Sequence, residues 1–180
     1  MINYLYRLLL TLNSTSLIVV VYLVKERCNI ADFNIELFTL PNYICYIIYV
    51  LIPIGLTLIS LWISKYLSKD SIDIGKVKQI EQANNAFLPS YLGYFFVALS
   101  VSYFDTLVFV FLLLFVFTFL SQTLYFNPLF LIFRFHFYYL TTTNEIKIFI
   151  ITKKELKDPL LTEFKDLRRI NNFTFIDLKK

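Results

Sequence analysis

His136 is the chain's single histidine, and it lies in a run, Phe133 to Leu140, where Arg134, His136 and Tyr138 alternate with Phe133, Phe135, Phe137 and Tyr139. A metal-binding or catalytic imidazole needs further ligands or an orienting partner, and no Cys and no second His lies near it. It reads as a strand residue beside Arg134. Cys28 and Cys45 are the two cysteines; they flank one end of two apolar runs, where a disulfide is permitted and coincidence is equally open. The chain has no Gly-rich phosphate loop, no zinc spacing and no Ser-x-x-Lys pair. Charge is nearly absent from the apolar runs, which argues against ion-coupled transport, since that chemistry needs ionisable groups at depth. No enzymatic activity, cofactor, metal or small-molecule substrate is predicted. The chemistry on offer is recognition, and the mixed face of Arg134, His136 and Tyr138 is the predicted partner-binding site. Basic residues there are interspersed with Glu145, Glu155, Asp158, Glu163, Asp166 and Asp177, so a solvated mixed surface is expected, with no direct nucleic-acid binding.

That face must be carried by something, and the rest of the chain says what. Leu107 to Phe126 is an uncharged run without Gly or Pro, closed by Asn127-Pro128. As a helix it would be roughly 30 Å long, the thickness of a bilayer's hydrocarbon core. Hydrophobic residues make up 58% of the chain and charged residues 17%, the balance of a small polytopic membrane protein. Further spans are expected at about 2–24, 43–63 and 88–104, with Asp105 and Thr106 turning the third tightly into the fourth. The lipid bilayer is thus the first predicted partner. Within the first span, Asn13 to Ser16 is polar, and either seeks partners on neighbouring helices or lines a water-filled path. Pro53 and Gly55 predict a kink in the second. Between the second and third spans, Ile74, Val77 and Ile80 have the spacing of a short amphipathic helix.

After Asn127 the period changes from helical to alternating. Phe133 to Leu140 and Ile146 to Thr152 predict a β-hairpin, Asp158-Pro159 opens a helix carrying Leu161, Phe164, Leu167 and Ile170, and Phe173 to Leu178 alternates as a third strand. The predicted fold class is therefore an all-α transmembrane bundle of four spans (residues 1–126) with a small α+β cytoplasmic C-terminal module (residues 127–180).

Orientation follows from the basic residues. With an even number of spans, fifteen of the seventeen Lys and Arg share one side, against Lys25 and Arg27 on the other, where Glu26, Asp32, Glu36 and Asp105 also lie. Positive charge favours the cytoplasm, so both termini are expected there and the protein in a cell's inner membrane.

The layout of spans, Leu-Pro-Ser-Tyr at Leu88 to Tyr91, Asn127-Pro128, FRFHFYYL, IKIFIITKK and a closing FTFIDL resembles the KwaA family, the membrane component of the Kiwa anti-phage system. It departs from the family pattern at Phe133-Arg134, where Gly-Tyr is expected. The resemblance implies a homo-oligomeric inner-membrane sensor and scaffold that holds a cytoplasmic DNA-binding effector, KwaB-like. The alternatives are a small pore-forming protein, channel or holin-like, favoured by the polar patch and the kink, and an accessory subunit of an unrelated membrane complex.

Overall fold

The computed structural model describes residues 2–30, 41–86, 88–121 and 127–179. Asp32 and Glu36, Phe87 and the expected end of the fourth span at 122–126 lie outside the described residues. Helix α1 (Ile2–Lys25) and α2 (Asn42–Ile63) are followed by strands β1 (Lys69–Ile72) and β2 (Val77–Gln82). Next come α3 (Leu88–Ser100), α4 (Phe104–Ser121), the single turn α5 (Leu129–Ile132), and strands β3 (His136–Thr142), β4 (Lys147–Thr152), β5 (Phe164–Arg169) and β6 (Thr174–Asp177).

The all-α four-span bundle is not what forms. Three helices, Ile2–Lys25, Asn42–Tyr66 and Phe104–Ser121, are long and apolar enough to cross a membrane. The third apolar run yields only the 13 residues of α3, roughly 20 Å of helix, because the chain leaves helical geometry at Val101. There the Lys25 ammonium donates to the Val101 carbonyl.

Helix α1 is the hub, in contact with α2, α3 and α4. Its polar stretch explains why. Asn13 Nδ2 donates to Thr57 Oγ1 of α2 at 2.8 Å, and the Tyr91 hydroxyl of α3 donates to the Ser14 carbonyl at 2.8 Å. Ser14, Thr15 and Ser16 return their hydroxyl protons to carbonyls one turn back. The stretch serves helix packing, since Asn13, Ser14 and Thr15 are all buried. The other helices keep an apolar outer surface, with Ile47, Leu51, Trp62, Leu92, Phe96, Phe109, Leu112 and Phe117 each more than half exposed. Side chains of this kind in water would cost about 1.5–3 kcal/mol each relative to burial, so the belt is compatible with a lipid environment.

The largest departure concerns the residues between α2 and α3. They do not form an amphipathic helix; they supply both edge strands of one mixed sheet, ordered β1-β5-β6-β4-β3-β2. Among the described strands, only the β4–β6 pairing is parallel. Four residues link Ile72 to Val77, closed by the Lys76 amide donating to the Asp73 carbonyl at 3.2 Å, with Gly75 at φ 77°. A flat six-stranded sheet would hold its edges about 24 Å apart, whereas five peptide units reach at most roughly 17 Å. The sheet is therefore rolled.

Residues from all six strands meet on the inside of this roll: Ile72, Val77, Tyr138, Leu140, Ile150, Leu167 and Phe175 among them. The opposite face packs on the helix ends, where Phe137, Phe149, Ile151 and Ile176 join Tyr6, Leu10, Phe130 and Phe135 in a second core. Strand β4 is buried from Ile148 to Thr152 because it serves both cores. The expected helix after Asp158-Pro159 is also absent. Asp158 Oδ1 instead accepts the Leu160 amide at 2.9 Å in a side-chain turn, and Phe164 to Arg169 pair as β5.

Candidate functional site

Elements from both halves of the chain build the surface around the predicted site residues. Arg134 lies in the turn where α5 ends, exposed, with φ 61°. Its amide donates to the Leu131 carbonyl and the next amide, of Phe135, to the Phe130 carbonyl, so the left-handed residue closes α5 and swings the chain into β3. A non-glycine residue there costs roughly 1–2 kcal/mol, offset by the burial of Phe130 and Phe135 on either side.

His136 opens β3 and is half-buried. Asn84, just after β2, clamps it: Asn84 Oδ1 accepts the Phe137 amide at 2.8 Å, and Asn84 Nδ2 lies 3.2 Å from His136 Nδ1. With the amide donating, Nδ1 is the acceptor and the neutral ring carries its proton on Nε2. Tyr138 is nearly fully buried inside the roll, and its hydroxyl accepts the Leu156 amide at 3.4 Å.

His136 and Tyr138 are brought together with Ile80, Gln82 and residues 155–157 around a cleft of about 340 Å³. Arg134 does not line it. Of the three predicted residues, two share a cleft and one terminates a helix.

Residues 153–163, which carry the chain from β4 to β5, escaped the sequence reading as a surface. Leu156 packs against the interior of the roll, while Leu160 and Leu161 are 68% and 69% exposed. Beside them lies a cleft of about 530 Å³, bounded by Lys154, Lys157, Asp158 and Glu163. The available signal was the pair Leu160-Leu161 following Pro159, two apolar side chains with no room on one buried face. Lys157 and Glu155 pair at 3.8 Å, both exposed, an interaction of about 0–1 kcal/mol that leaves them free to re-pair.

Other charges near the sheet are structural. Asp177 is buried, accepts from Thr152 Oγ1 at 3.2 Å and from the Lys179 amide at 3.0 Å, and lies 3.4 Å from Lys154 Nζ. On the opposite face of β3, burial pushes the Tyr139 phenol up, opposed by the Lys147 ammonium 4.3 Å from its ring. Cys28 and Cys45 are not joined in a disulfide, and Cys45 is buried. Among the described residues, no group of three or more His, Cys, Asp or Glu is placed to hold a metal.

The geometry is that of an apolar helical body bearing a rolled sheet with an exposed apolar strap, and a family model described as anti-phage protein KwaA matches residues 6–176. The chain belongs to the KwaA family. No curated protein and no solved structure matches it. The KwaA match takes in α2 through β5 whole and all but the ends of α1 and β6, so the rolled sheet is as much part of what is matched as the apolar helices.

Proposed function

We propose that this KwaA-family protein is the membrane scaffold of an anti-phage defence system of the Kiwa type, with its helices in the inner membrane and the rolled sheet presented to the cytoplasm to hold a KwaB-like effector. The observation that carries the reading is the division of the surface. The helices expose an apolar belt, whereas the strap over the sheet pairs two exposed leucines with solvent-exposed charges, the composition of a protein contact. The excess of basic residues on the sheet's side favours that side as cytoplasmic. Self-association is part of the proposal as the family resemblance implies it, and the outer faces of α2, α3 and α4 are left uncovered within one copy.

Effector co-purification tests it. Removing everything after Leu129 would strip β1 and β2 of their partners and unroof Tyr6 and Leu10, so point variants are the cleaner tool. Leu160→Glu with Leu161→Glu is expected to abolish effector capture and phage protection while the protein stays in the membrane. Full capture by the double variant would sink the strap as the docking surface. Reporter fusions after Lys180 should be active in the cytoplasm, and an externally active fusion would overturn the orientation.

A further inference from the structure

The two edges of the rolled sheet are finished differently. On β1, the Arg169 amide donates to the Ser68 carbonyl at 2.9 Å, so Ser68 bonds inward to β5 and its neighbours Leu67 and Lys69 turn their backbone groups outward. Side chains take up backbone groups along this edge: Arg168 donates to the Leu67 carbonyl at 3.2 Å, and the Ser71 amide donates to Asp70 Oδ1 at 2.9 Å. On β2, the Ala83 amide donates to the Phe137 carbonyl at 2.8 Å, and the unbroken register from Gln79 to Gln82 makes Gln79 and Glu81 the residues bonded to β3. Ile80 and Gln82 therefore point amide and carbonyl away from the sheet, and among the described residues nothing bonds these groups.

The open edge borders a shaped space. Ile80 and Gln82 line the cleft of about 340 Å³ whose other walls are His136, Tyr138 and residues 155–157. The strap residues share this cleft with the edge, yet no backbone bond joins them to β2; the Leu156 amide donates instead to the Tyr138 hydroxyl at 3.4 Å. A residue of a strand fills about 160 Å³, from a rise of about 3.3 Å, a strand spacing of about 4.8 Å and a sheet thickness of about 10 Å, so the cleft has room for about two. Its chemistry changes along the edge. Ile80, Tyr138 and Leu156 pack on the apolar interior of the roll, whereas Gln82, Glu155 and Lys157 are exposed and polar. Glu155, Leu156 and Lys157 also line the cleft beside Leu160 and Leu161, which makes the edge and the strap one continuous surface.

We propose that the outward edge of β2 at Ile80 and Gln82 takes an extended segment of the cytoplasmic partner as an added strand, with an apolar side chain opposite Ile80 and, two residues along, a polar one opposite Gln82. An unpaired edge is a template for such pairing; main-chain bonds supply affinity, and the alternate side chains that enter the cleft supply selectivity. Lys78 and Glu81, exposed and charged on the same strand, guard it against indiscriminate pairing.

The inference rests on the effector half of the proposed function and names a backbone contact within it. Full-length protein in nanodiscs is bound to the purified KwaB-like effector and followed by amide hydrogen exchange. The outward amides of Ile80 and Gln82 should exchange at least about ten-fold more slowly in the complex. Unchanged exchange at both, in a complex that forms, overturns the added strand. Gln82→Pro deletes one outward amide and leaves the bonds to β3 in place, since proline is tolerated on an edge where the N–H faces away from the sheet. It should lower effector capture about five- to ten-fold, whereas Gln82→Ala, which keeps the backbone, should change capture less than about two-fold. Equal losses in the two variants overturn backbone pairing in favour of a side-chain contact. Should Gln82→Pro fail to fold, the exchange measured on the wild type decides alone. Capture lost in Leu160→Glu with Leu161→Glu but complete in Gln82→Pro keeps the strap as the docking surface and removes the edge. A wild type that captures no effector overturns the proposed function, and this contact with it.

Discussion

Helices α1 and α4 answer the same environment in opposite ways. Helix α4 is the more apolar, yet within the chain it buries only Leu107 and Thr118. Helix α1 carries Arg7 and the polar residues Asn13 to Ser16, and it is the one around which the others pack. Lipid tails are as apolar as leucine, so apolarity alone gives a helix no reason to leave lipid for another helix. Hydrogen bonds and close packing do. The most hydrophobic run is therefore the one compatible with a membrane, and the least hydrophobic of the long helices marks how the protein is held together.

The largest test of this contrast is a pair of truncations. Leu10→Ala on α1 should cost about 2–5 kcal/mol by opening the core shared with the sheet, whereas Leu112→Ala on α4, 55% exposed, should stay within about 0.5 kcal/mol. Unfolding in bicelles monitored through Trp62 would measure both, and equal losses would break the comparison.

A double-mutant cycle between Asn13 and Thr57 should return a coupling of about 0.6–1.7 kcal/mol. The cycle is needed because Asn13→Leu alone also removes a buried acceptor, Asn13 Oδ1, that has no partner, so its net effect is smaller than the bond lost. Tyr94 and Thr118, whose hydroxyls lie 3.5 Å apart between α3 and α4, should couple by less.

Tyr91→Phe removes the bond to the Ser14 carbonyl and should cost about 0.5–1.5 kcal/mol, with retained membrane insertion. The smallest effect is an expected absence of one. Since the polar stretch of α1 is spent on helix contacts, expression without infection should leave membrane potential unchanged, as a potential-sensitive dye would report. Immediate depolarisation would restore the pore reading.

The three long apolar helices and the β3–β4 hairpin were legible because length and strict alternation leave little choice. Two elements misled through a shared device. Val77 and Ile80 lie three apart and both face the inside of the roll, which a regular strand forbids. The β2–β3 register shifts between Val77 and Gln79, and this bulge returns the side chains to one face. Phe164 and Leu167 repeat the pattern in β5, opposite a shift between Asp70 and Ile72. A bulged strand thus imitates a helix's i, i+3 spacing, and the extra twist of each bulge helps to roll the sheet. The surface around the candidate residues was legible only in its strand. Alternation set His136 and Tyr138 on one face, but Arg134 obeys helix termination, and the strap's exposed leucines have no period to betray them.

Strand order bears on how the molecule is made. Strand β6 is the last in the sequence, yet it stands between β5 and β4 and, among the described strands, is the one that hydrogen-bonds the β1–β5 pair to the β4–β3–β2 trio. A ribosome releases β1 and β2 more than fifty residues before β3, so the growing chain carries these two strands without their sheet partners while α3 and α4 are made. Residues 174–177 complete the sheet between the two groups. Emergence of β6 is then the step that joins them, and a chain lacking β6 leaves the facing edges of β5 and β4 unpaired.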